Sequence, residues 1–468
     1  MALARIPAHD PRGRLDVPAF KAGITGTVIR PLDDTYESAR LVHNAAFDRR
    51  PALVVRPANA ADVARTVIFA RDAGLELAVR GGGHSLAGHG TTDGGIVLDM
   101  GAMKGLHIDA DRRLAWAQPG LTAGEYTAAV AAHGLATPFG DTGSVGISGL
   151  TLGGGIGWLV RKYGLTVDAL VSVDVVTADG RLLTASTTEH PDLFWAVRGG
   201  GGNFGVVTRF QFRLYPVDTI LGGAIFLPPT REVLRGIVPI AASAPEELSI
   251  IAFLMPAPPA PFVPAEHHGK LALALMFVYA GDVADGQRAI APFRALAAPM
   301  AEFVAPMPYA GIYELTKAGE ERGASTHRSL FLDALEDAAI ETILERMAAP
   351  SSPDAMTQIR VLGGAMSAVP SSATAFAHRD ATVMVTLITP FEDLTEASVH
   401  VSWTHAYYEA LRPRAVGVYA NFLEDEGEGR IREAYPGLTY QRLAEVKRRY
   451  DPTNVFQLNQ NIRPSVEA

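Results

Sequence analysis

Three glycine-rich stretches, at residues 81–83, 140–157 and 199–205, constrain the fold of this chain more than any other feature of its sequence. Glycine lets the backbone adopt conformations and close approaches that a side chain would forbid. The first stretch follows a predicted strand at residues 75–80, and its consecutive glycines allow several N–H groups to point at one spot, as in an anion-binding nest. Because Arg80 adds a guanidinium at that end, we expect this stretch to suit a pyrophosphate.

The other two stretches indicate a large flat ligand rather than a nicotinamide nucleotide. Residues 200–205 have the letters Gly-x-Gly-x-x-Gly of the dinucleotide fingerprint, but they run into a β-branched strand where a Rossmann site requires a helix. We therefore reject the nicotinamide interpretation. Residues 140–157 carry Thr142, Ser144 and Ser148 among their glycines, which suits a backbone that passes close to a planar group. Together the three stretches predict an elongated, planar cofactor that carries phosphate.

Two other chemistries fit the first glycine stretch less well. Residues 83–87 approach the Gly-x-Ser-x-Gly nucleophile elbow, but they end in alanine and have no obvious following helix. His84 and His89 lack the helical or tight-turn spacing and the carboxylate that a metal site needs. We expect neither a serine hydrolase nor a metal site.

Hydrophobic periodicity predicts an α+β chain with two kinds of sheet. Strands and helices alternate over residues 50–215, with helices at 60–73 and 122–133 that each end at a glycine. Residues 218–412 change to longer strands separated by amphipathic helices, which predicts an antiparallel sheet with helices on one face. After Pro413, glycine and aromatic residues become frequent again, as in the first unit. We therefore expect the C-terminal part to pack back onto that unit.

Charge, cysteine content and hydropathy exclude several classes of partner. The chain has 41 Lys and Arg against 50 Asp and Glu, so no basic field would attract nucleic acid or an anionic membrane. It has no cysteine, which excludes disulfides, thiolate nucleophiles and iron–sulfur clusters. The first thirty residues lack the apolar core of a secretory signal, and the longest apolar run, residues 271–280, is about half of a membrane span. We expect a soluble, cytoplasmic protein that binds small molecules.

Six motifs occur in order along nearly the whole chain. They are Arg80-Gly-Gly-Gly-His84-Ser85, Asp93-Gly-Gly-Ile-Val-Leu-Asp99, Val145-Gly-Ile-Ser-Gly-Leu-Thr-Leu-Gly-Gly-Gly155, Phe194-Trp-Ala-Val-Arg-Gly199, Gly202-Asn-Phe-Gly-Val-Val-Thr208 and Tyr450-Asp-Pro-Thr-Asn-Val-Phe456. Together they resemble the motifs of the vanillyl-alcohol-oxidase-type flavoproteins, which have a PCMH-type FAD-binding domain, and within that group the match is to the berberine-bridge-enzyme-like oxidases.

The resemblance implies an α+β fold in which a bipartite FAD-binding domain holds an inserted substrate domain. An N-terminal segment at residues 1–47 would precede the FAD-binding domain at residues 48–216. The substrate-binding domain would span residues 217–412, and a berberine-bridge-like segment at residues 413–468 would complete the FAD-binding domain.

The resemblance also implies that His84 is bonded covalently to the 8α-methyl carbon of FAD. A neutral imidazole nitrogen is a fair nucleophile toward that electron-poor carbon, and the link would raise the oxidising power of the flavin. The other residues implied to bind FAD are Arg80, Gly81, Gly82, Gly83, Ser85, His89, Gly120, Thr142, Ser144, Val145, Gly146, Ser148, Gly149, Gly153, Gly155, Gly205, Val206, Val207, Asn421, Tyr450, Asn459 and Asn461.

Two positions favour one branch of the family. Thr142 stands where many relatives carry a cysteine that forms a second flavin link, so the chain resembles the branch with one link, similar to bacterial 6-hydroxynicotine oxidases. Val145 stands where family oxidases keep a small side chain near the flavin edge that meets dioxygen. We expect an oxidase that transfers hydride to flavin N5 and reduces dioxygen to hydrogen peroxide.

The two bases that relatives use are absent. Ala373 and Phe422 stand where relatives have a glutamate and a tyrosine, which leaves Tyr419 as the first candidate base. A tyrosine needs a cationic neighbour or hydrogen bonds to act as a base near neutral pH. The other candidates are Tyr309, Tyr313, Tyr407, Tyr408 and His378.

Three functions stay open on the sequence. The first is an oxidase of a small aromatic, alkaloid-like or polyketide-like molecule, which arrives as a deprotonated amine or a phenolate and needs no strong base. The second is a carbohydrate or primary-alcohol oxidase of the same fold. The third is a flavin-binding relative without turnover, which the two missing bases suggest.

Overall fold

The structure is a computed structural model that describes residues 16–465. Its strands are, in chain order, β1 (Thr27–Ile29), β2 (Leu53–Arg56), β3 (Leu77–Arg80), β4 (Ile96–Asp99), β5 (Leu106–Asp109), β6 (Leu114–Ala117), β7 (Leu135–Ala136), β8 (Leu170–Val176), β9 (Leu182–Ser186), β10 (Val206–Arg213), β11 (Tyr215–Pro216), β12 (Thr219–Leu227), β13 (Leu248–Pro256), β14 (Leu271–Tyr279), β15 (Ala301–Pro308), β16 (Ala324–Leu332), β17 (Met356–Val361) and β18 (Val383–Phe391).

The α-helices of the same residues are α1 (Val17–Ala22), α2 (Tyr36–Arg40), α3 (Ala60–Ala73), α4 (Ala123–Ala131), α5 (Ile147–Leu152), α6 (Val160–Tyr163), α7 (Pro191–Ala196), α8 (Arg231–Ser243), α9 (Val283–Arg294), α10 (Asp337–Ala348), α11 (Ala365–Ala368), α12 (Ala397–Leu411), α13 (Glu428–Ala434) and α14 (Leu438–Tyr450).

The first sheet has the strand order β1-β2-β4-β3, in which β2, β4 and β3 are parallel. Helix α3 connects β2 to β3 and spans the residues that the sequence predicts. Asn59 accepts hydrogen bonds from the N–H groups of Ala61 and Asp62 at its start, and Gly74, at φ 65°, ends it in the left-handed region. This strand–helix–strand unit presents the first glycine stretch at the end of β3.

The second sheet is antiparallel, with the order β5-β6-β10-β8-β9. A turn at Asp179-Gly180 joins β8 to β9. Where the sequence suggests one unit over residues 50–215, the structure has two separate sheets. Their strand directions differ because the α3 crossover makes parallel neighbours, whereas tight hairpins make antiparallel ones.

The third sheet confirms the predicted antiparallel sheet with helices on one face. Its order is β15-β12-β14-β13-β17-β18-β16, and helices α8, α10 and α12 cover one face. Along β17, Ile359 and Val361 point toward these helices, while Arg360 lies beside the ring of Phe422 on the other side. That second face, which includes Ile251, packs against the core of the first unit.

The third glycine stretch anchors the C-terminal segment. The Asn203 side chain donates to the Gln460 carbonyl at 3.1 Å and accepts from the Ile462 N–H at 2.9 Å. Buried Lys447 pairs with Asp451 at 2.7 Å and also donates to the Asn203 carbonyl at 2.8 Å. These contacts place residues 450–462 against the first unit, as the sequence predicts.

Within residues 16–465, no helix has both the length and the apolar character needed to cross a bilayer. The predicted absence of a secretory signal concerns residues of which the first fifteen lie outside the described part.

Candidate functional site

The first and second glycine stretches meet backbone to backbone. A Cβ added at Gly82 would lie 2.3 Å from the backbone nitrogen of Gly146, and one at Gly81 would lie 2.2 Å from Ser148 Oγ. Side chains at these two positions would therefore push the loops apart. The loop that follows β3 thus lies directly against the N-terminal end of α5. This close contact between the two backbones depends on glycine.

The guanidinium of Arg80 does not extend toward this surface. It pairs with Asp99 at 3.0 Å and donates to the backbone carbonyls of Ala39 and Leu41. The expectation that Arg80 adds positive charge for a pyrophosphate is therefore wrong. A buried guanidinium needs a carboxylate and further acceptors, and the neighbouring strand and the N-terminal segment supply them.

His84 lies at the contact between the two loops, as a partly buried and neutral imidazole. Burial is the main cause that lowers its pKa from 6.5 to about 4, and the nearby His43 acts in the same direction. The two rings are stacked with centroids 4.0 Å apart. A hydrogen bond with the Ser144 backbone favours the protonated form but does not outweigh burial. The imidazole of His84 is thus available as a neutral nucleophile near pH 7.

Residues next to His84 in the two loops make further polar contacts. The Ser144 N–H donates to the carboxylate of Glu320 at 2.9 Å, which connects the second glycine stretch to the residues before β16. The Ser144 hydroxyl is buried and has no protein partner. Burial also lowers the pKa of His89 to about 4, and the His89 N–H donates to Ser85 Oγ at 3.2 Å.

Tyr419, the first candidate base, holds a loop of the second glycine stretch. Its hydroxyl oxygen accepts from the Gly155 N–H and from the Asn421 amide, each at 2.9 Å. Burial raises the pKa of Tyr419 above its usual 10, although these hydrogen bonds act in the opposite direction. The rings of Phe376 and Phe422 lie around it, with centroids 6.0 and 5.1 Å away.

Of the other candidate bases, two are hydrogen-bonded to backbone carbonyls, one is unpaired and two lie away from the site. His378 Nε2 lies 2.8 Å from the Glu433 carbonyl, and the hydroxyl of Tyr313 donates to the Gly140 carbonyl at 3.3 Å. Tyr309 is buried without a protein partner for its hydroxyl. Tyr407 and Tyr408 are on α12, in the core between the third sheet and its helices, so the expectation that they reach the site is wrong. The hydrophobic face of α12 decides this orientation.

Residues predicted near the end of the chain divide into two groups. The amide oxygens of Asn459 and Asn461 are buried without protein partners, as expected of groups that bind a ligand. The Tyr450 hydroxyl instead donates to Asp192 at 2.9 Å. Other predicted residues pack inside the protein. Val206 and Val207 are core residues of β10, and Gly205 packs on β8. Gly120 packs against the carbonyls of Met100 and Met103, and Gly153 faces the Asn421 side chain.

Two residues of the site, His43 and Arg360, are not among those predicted from the sequence. His43 comes from the segment between α2 and β2, and nothing in its local sequence signals a contact with His84. Arg360 is a buried cation in the middle of a strand, where an arginine among apolar residues is itself a signal. Its guanidinium carbon lies 5.3 Å from the Phe422 ring centre, beside Tyr419.

No group of three or more metal-ligating side chains occurs in the part of the chain that the structure describes.

Known proteins match this architecture over most of its length. A family model described as an FAD binding domain matches residues 51–186, and one described as berberine and berberine like matches residues 418–463. The (R)-6-hydroxynicotine oxidase of Paenarthrobacter nicotinovorans is 32% identical over 467 residues, which cover 95% of this chain and 98% of that protein. The chain belongs to the berberine-bridge-enzyme-like family. It is an FAD-linked oxidoreductase with the α+β fold of that family.

A solved structure and a carbohydrate oxidase also match this chain over most of its length. The crystal structure of 6-hydroxy-D-nicotine oxidase from Arthrobacter nicotinovorans has a TM-score of 0.85 at 28% identity, and the match covers 94% of this chain and 98% of that one. The xylooligosaccharide oxidase of Thermothelomyces thermophilus is 28% identical over 452 residues, which cover 89% of this chain and 88% of that protein.

Proposed function

We propose that this chain is an oxidase whose FAD is bonded covalently through His84, and that it oxidises a small aromatic, alkaloid-like or polyketide-like molecule. The observation that carries the proposal is the neutral, partly buried imidazole of His84 at the contact between two glycine loops. With a pKa of about 4, only about one His84 in a thousand is protonated at pH 7. The nitrogen lone pair is then free for attack on an electron-poor carbon.

The residues of the site fit FAD. Ser144, Asn459 and Asn461 each carry a buried oxygen that has no protein partner, and a flavin nucleotide has donors and acceptors along its length to meet them. The glycine backbones of residues 81–83 would bind the anionic part, and His84 would hold the ring system. When bound, FAD would accept a hydride at N5 and pass two electrons to dioxygen, which yields hydrogen peroxide.

The side chains of the chain would position the substrate and exclude water. Phe376 and Phe422 would offer flat apolar surfaces to an aromatic substrate. Tyr419 would hold the Gly155 loop through its hydroxyl, and we assign it a positioning role because burial raises its pKa. A substrate that arrives as a neutral amine or an acidic phenol would not require a strong protein base. Val145 would leave room for dioxygen.

The domain organisation that we propose follows the contacts of the C-terminal segment. Residues 48–216 and 413–468 would form the FAD-binding domain, and residues 217–412 the substrate-binding domain. The hydrogen bonds of Asn203 with residues 460 and 462 support this assignment, since they connect the third glycine stretch to the end of the chain.

The covalent link is tested on the purified holoenzyme by acid precipitation. The wild-type pellet is expected to stay yellow, whereas His84→Ala should release its flavin into the supernatant. The exposed His133 provides a matched control, because His133→Ala should leave the pellet yellow. A colourless wild-type pellet would contradict the link.

The substrate class is tested by peroxide release across a panel of sugars and aromatic amines, phenols and alcohols. A carbohydrate is the second candidate substrate, because one relative is a xylooligosaccharide oxidase. Turnover of sugars alone would overturn the aromatic proposal. Mixing with candidate substrates under nitrogen decides between an enzyme and an inert flavin-binding relative, because the flavin band bleaches only if the substrate reduces the flavin.

A further inference from the structure

Arg360 occupies the face of the third sheet that is turned away from the helices. In the register of the sheet it lies between Ile251 of β13 and Met384 of β18. Its neighbour Thr357, on the opposite face, bonds to Tyr407 of α12 at 3.0 Å, which confirms the alternation. Only 3% of Arg360 is exposed, so its guanidinium is held inside the protein beside the proposed flavin site.

The guanidinium of Arg360 uses only one of its three nitrogens for protein partners. Nη2 lies 2.7 Å from the Asp141 carboxylate and donates to Gln358 Oε1 at 2.8 Å. Nε and Nη1 are buried and have no protein acceptor. Because buried donors are rarely left unpaired in native proteins, the two free nitrogens point to a ligand.

Two other polar side chains on this face of the sheet also lack partners. The hydroxyls of Thr386 and Ser249 are buried without protein partners. Thr386 lies next to Gln358 in the sheet register. Arg360 and Ser249 also line a small internal cavity with Ile156, whose backbone interacts with the Tyr419 hydroxyl. Donors from two strands therefore surround a space that adjoins the Gly155 loop.

The charge around Arg360 selects the kind of acceptor. Asp141 already balances the positive charge of the guanidinium, so a second anion would leave a net negative charge in a buried site. A bidentate carboxylate also needs two adjacent guanidinium nitrogens, and both such edges include Nη2, which Asp141 and Gln358 occupy. A single neutral oxygen, which accepts from Nε or from Nη1 and adds no charge, is the acceptor that fits this site.

We propose that Arg360 binds a neutral carbonyl oxygen of the substrate, such as that of a ketone or a lactam, and thereby orients the ring over the site. The inference rests on the proposed function and narrows its substrate to molecules with a carbonyl group on or beside the ring. Phe422, below the guanidinium, supplies the apolar surface for that ring. Arg360 is a positioning residue, and no bond is made or broken in this step.

The test uses three probes of nearly equal shape with the holoenzyme: acetophenone, its hydrocarbon isostere α-methylstyrene, and the anion benzoate. Dissociation constants are measured from the change in the visible flavin spectrum. Wild type should bind acetophenone at least about tenfold more tightly than either other probe. In Arg360→Met the advantage over α-methylstyrene should disappear, while the flavin content and the affinity for α-methylstyrene stay within about twofold.

Asp141→Asn provides a second variant, in which affinity for a probe should be gained rather than lost. Removal of the balancing carboxylate leaves the positive charge of Arg360 uncompensated, so this variant should gain at least about tenfold in benzoate affinity. Arg360→Lys should keep part of the preference for acetophenone. These two variants test the inference even if Arg360→Met does not fold.

Four results would overturn the inference. They are equal binding of acetophenone and α-methylstyrene by wild type, tighter binding of benzoate than acetophenone by wild type, loss of all probes together in Arg360→Met, and loss of flavin from that variant. The last result would mean that Arg360 holds the cofactor. Acid precipitation of the same preparations reports on the His84 link separately, so a failure of the proposed function is distinguishable.

Discussion

Replacement of His327 by glutamine should make the protein less sensitive to acid. His327 is partly buried on β16, and its Nε2 lies 2.8 Å from Ser325 Oγ. Burial, together with the nearby His43 and Arg328, lowers its pKa from 6.5 to about 4. Between pH 6.5 and about pH 4 this histidine binds a proton in the unfolded chain but not in the folded protein. Stability is therefore lost as the pH falls through this window.

The magnitude of this loss follows from the two pKa values of His327. Between pH 7 and pH 5 the difference in proton binding costs about 2 kcal/mol of unfolding free energy, and nothing is gained at higher pH where both states are neutral. Glutamine keeps a hydrogen-bonding side chain but does not titrate. His327→Gln should therefore lose about 2 kcal/mol less than wild type over the same pH interval.

The assay is urea unfolding followed by circular dichroism at pH 7 and pH 5. The exposed His133 is the matched control, and His133→Gln should show the wild-type loss within about 0.5 kcal/mol. An equal loss in wild type and His327→Gln would refute the reasoning, since it would mean that His327 is protonated in the folded protein.

Three other predictions concern the glycine loops, the C-terminal anchor and the candidate base. Gly82→Ala should lower the fraction of bound flavin in purified protein, because its Cβ would lie 2.3 Å from the facing backbone, whereas Gly429→Ala, on the exposed side of α13 with open space around it, should not. Lys447→Met should cost about 3–5 kcal/mol in urea unfolding, since Asp451 would stay buried without its cation, and a loss below about 1 kcal/mol would contradict this. Tyr419→Phe should lower kcat by less than about tenfold without changing the pH profile of kcat, whereas loss of a true base would cost about 10²–10⁴-fold.

Local structure could be predicted closely because its determinants lie within a few residues of one another. The helix at residues 60–73 has its cap residue Asn59 and its terminating Gly74 next to it in sequence. The Asp179-Gly180 turn is likewise encoded by the two residues that form it. The order of the glycine motifs also carried the family assignment, and with it the fold and the requirement for FAD.

The partners of charged residues could not be predicted in this way. Arg80 follows directly on its strand and stands beside the first glycine stretch, yet its guanidinium turns to Asp99 and to carbonyls of α2 and the residue after it. Arg360 meets Asp141 across a separation of more than two hundred residues. A charged side chain takes the best acceptors that folding brings near, and sequence distance does not report them.

The amino-acid sequence by itself determined the glycine loops, the lack of any cysteine for a second flavin link, and the alternation that builds the large antiparallel sheet. Only the tertiary structure decided that His43 stacks on His84, that Tyr419 holds the Gly155 loop, and that Arg360 keeps two nitrogens free. The reason is physical: backbone conformation and burial pattern depend on neighbours along the chain, whereas pKa values and unmet hydrogen bonds depend on neighbours in space.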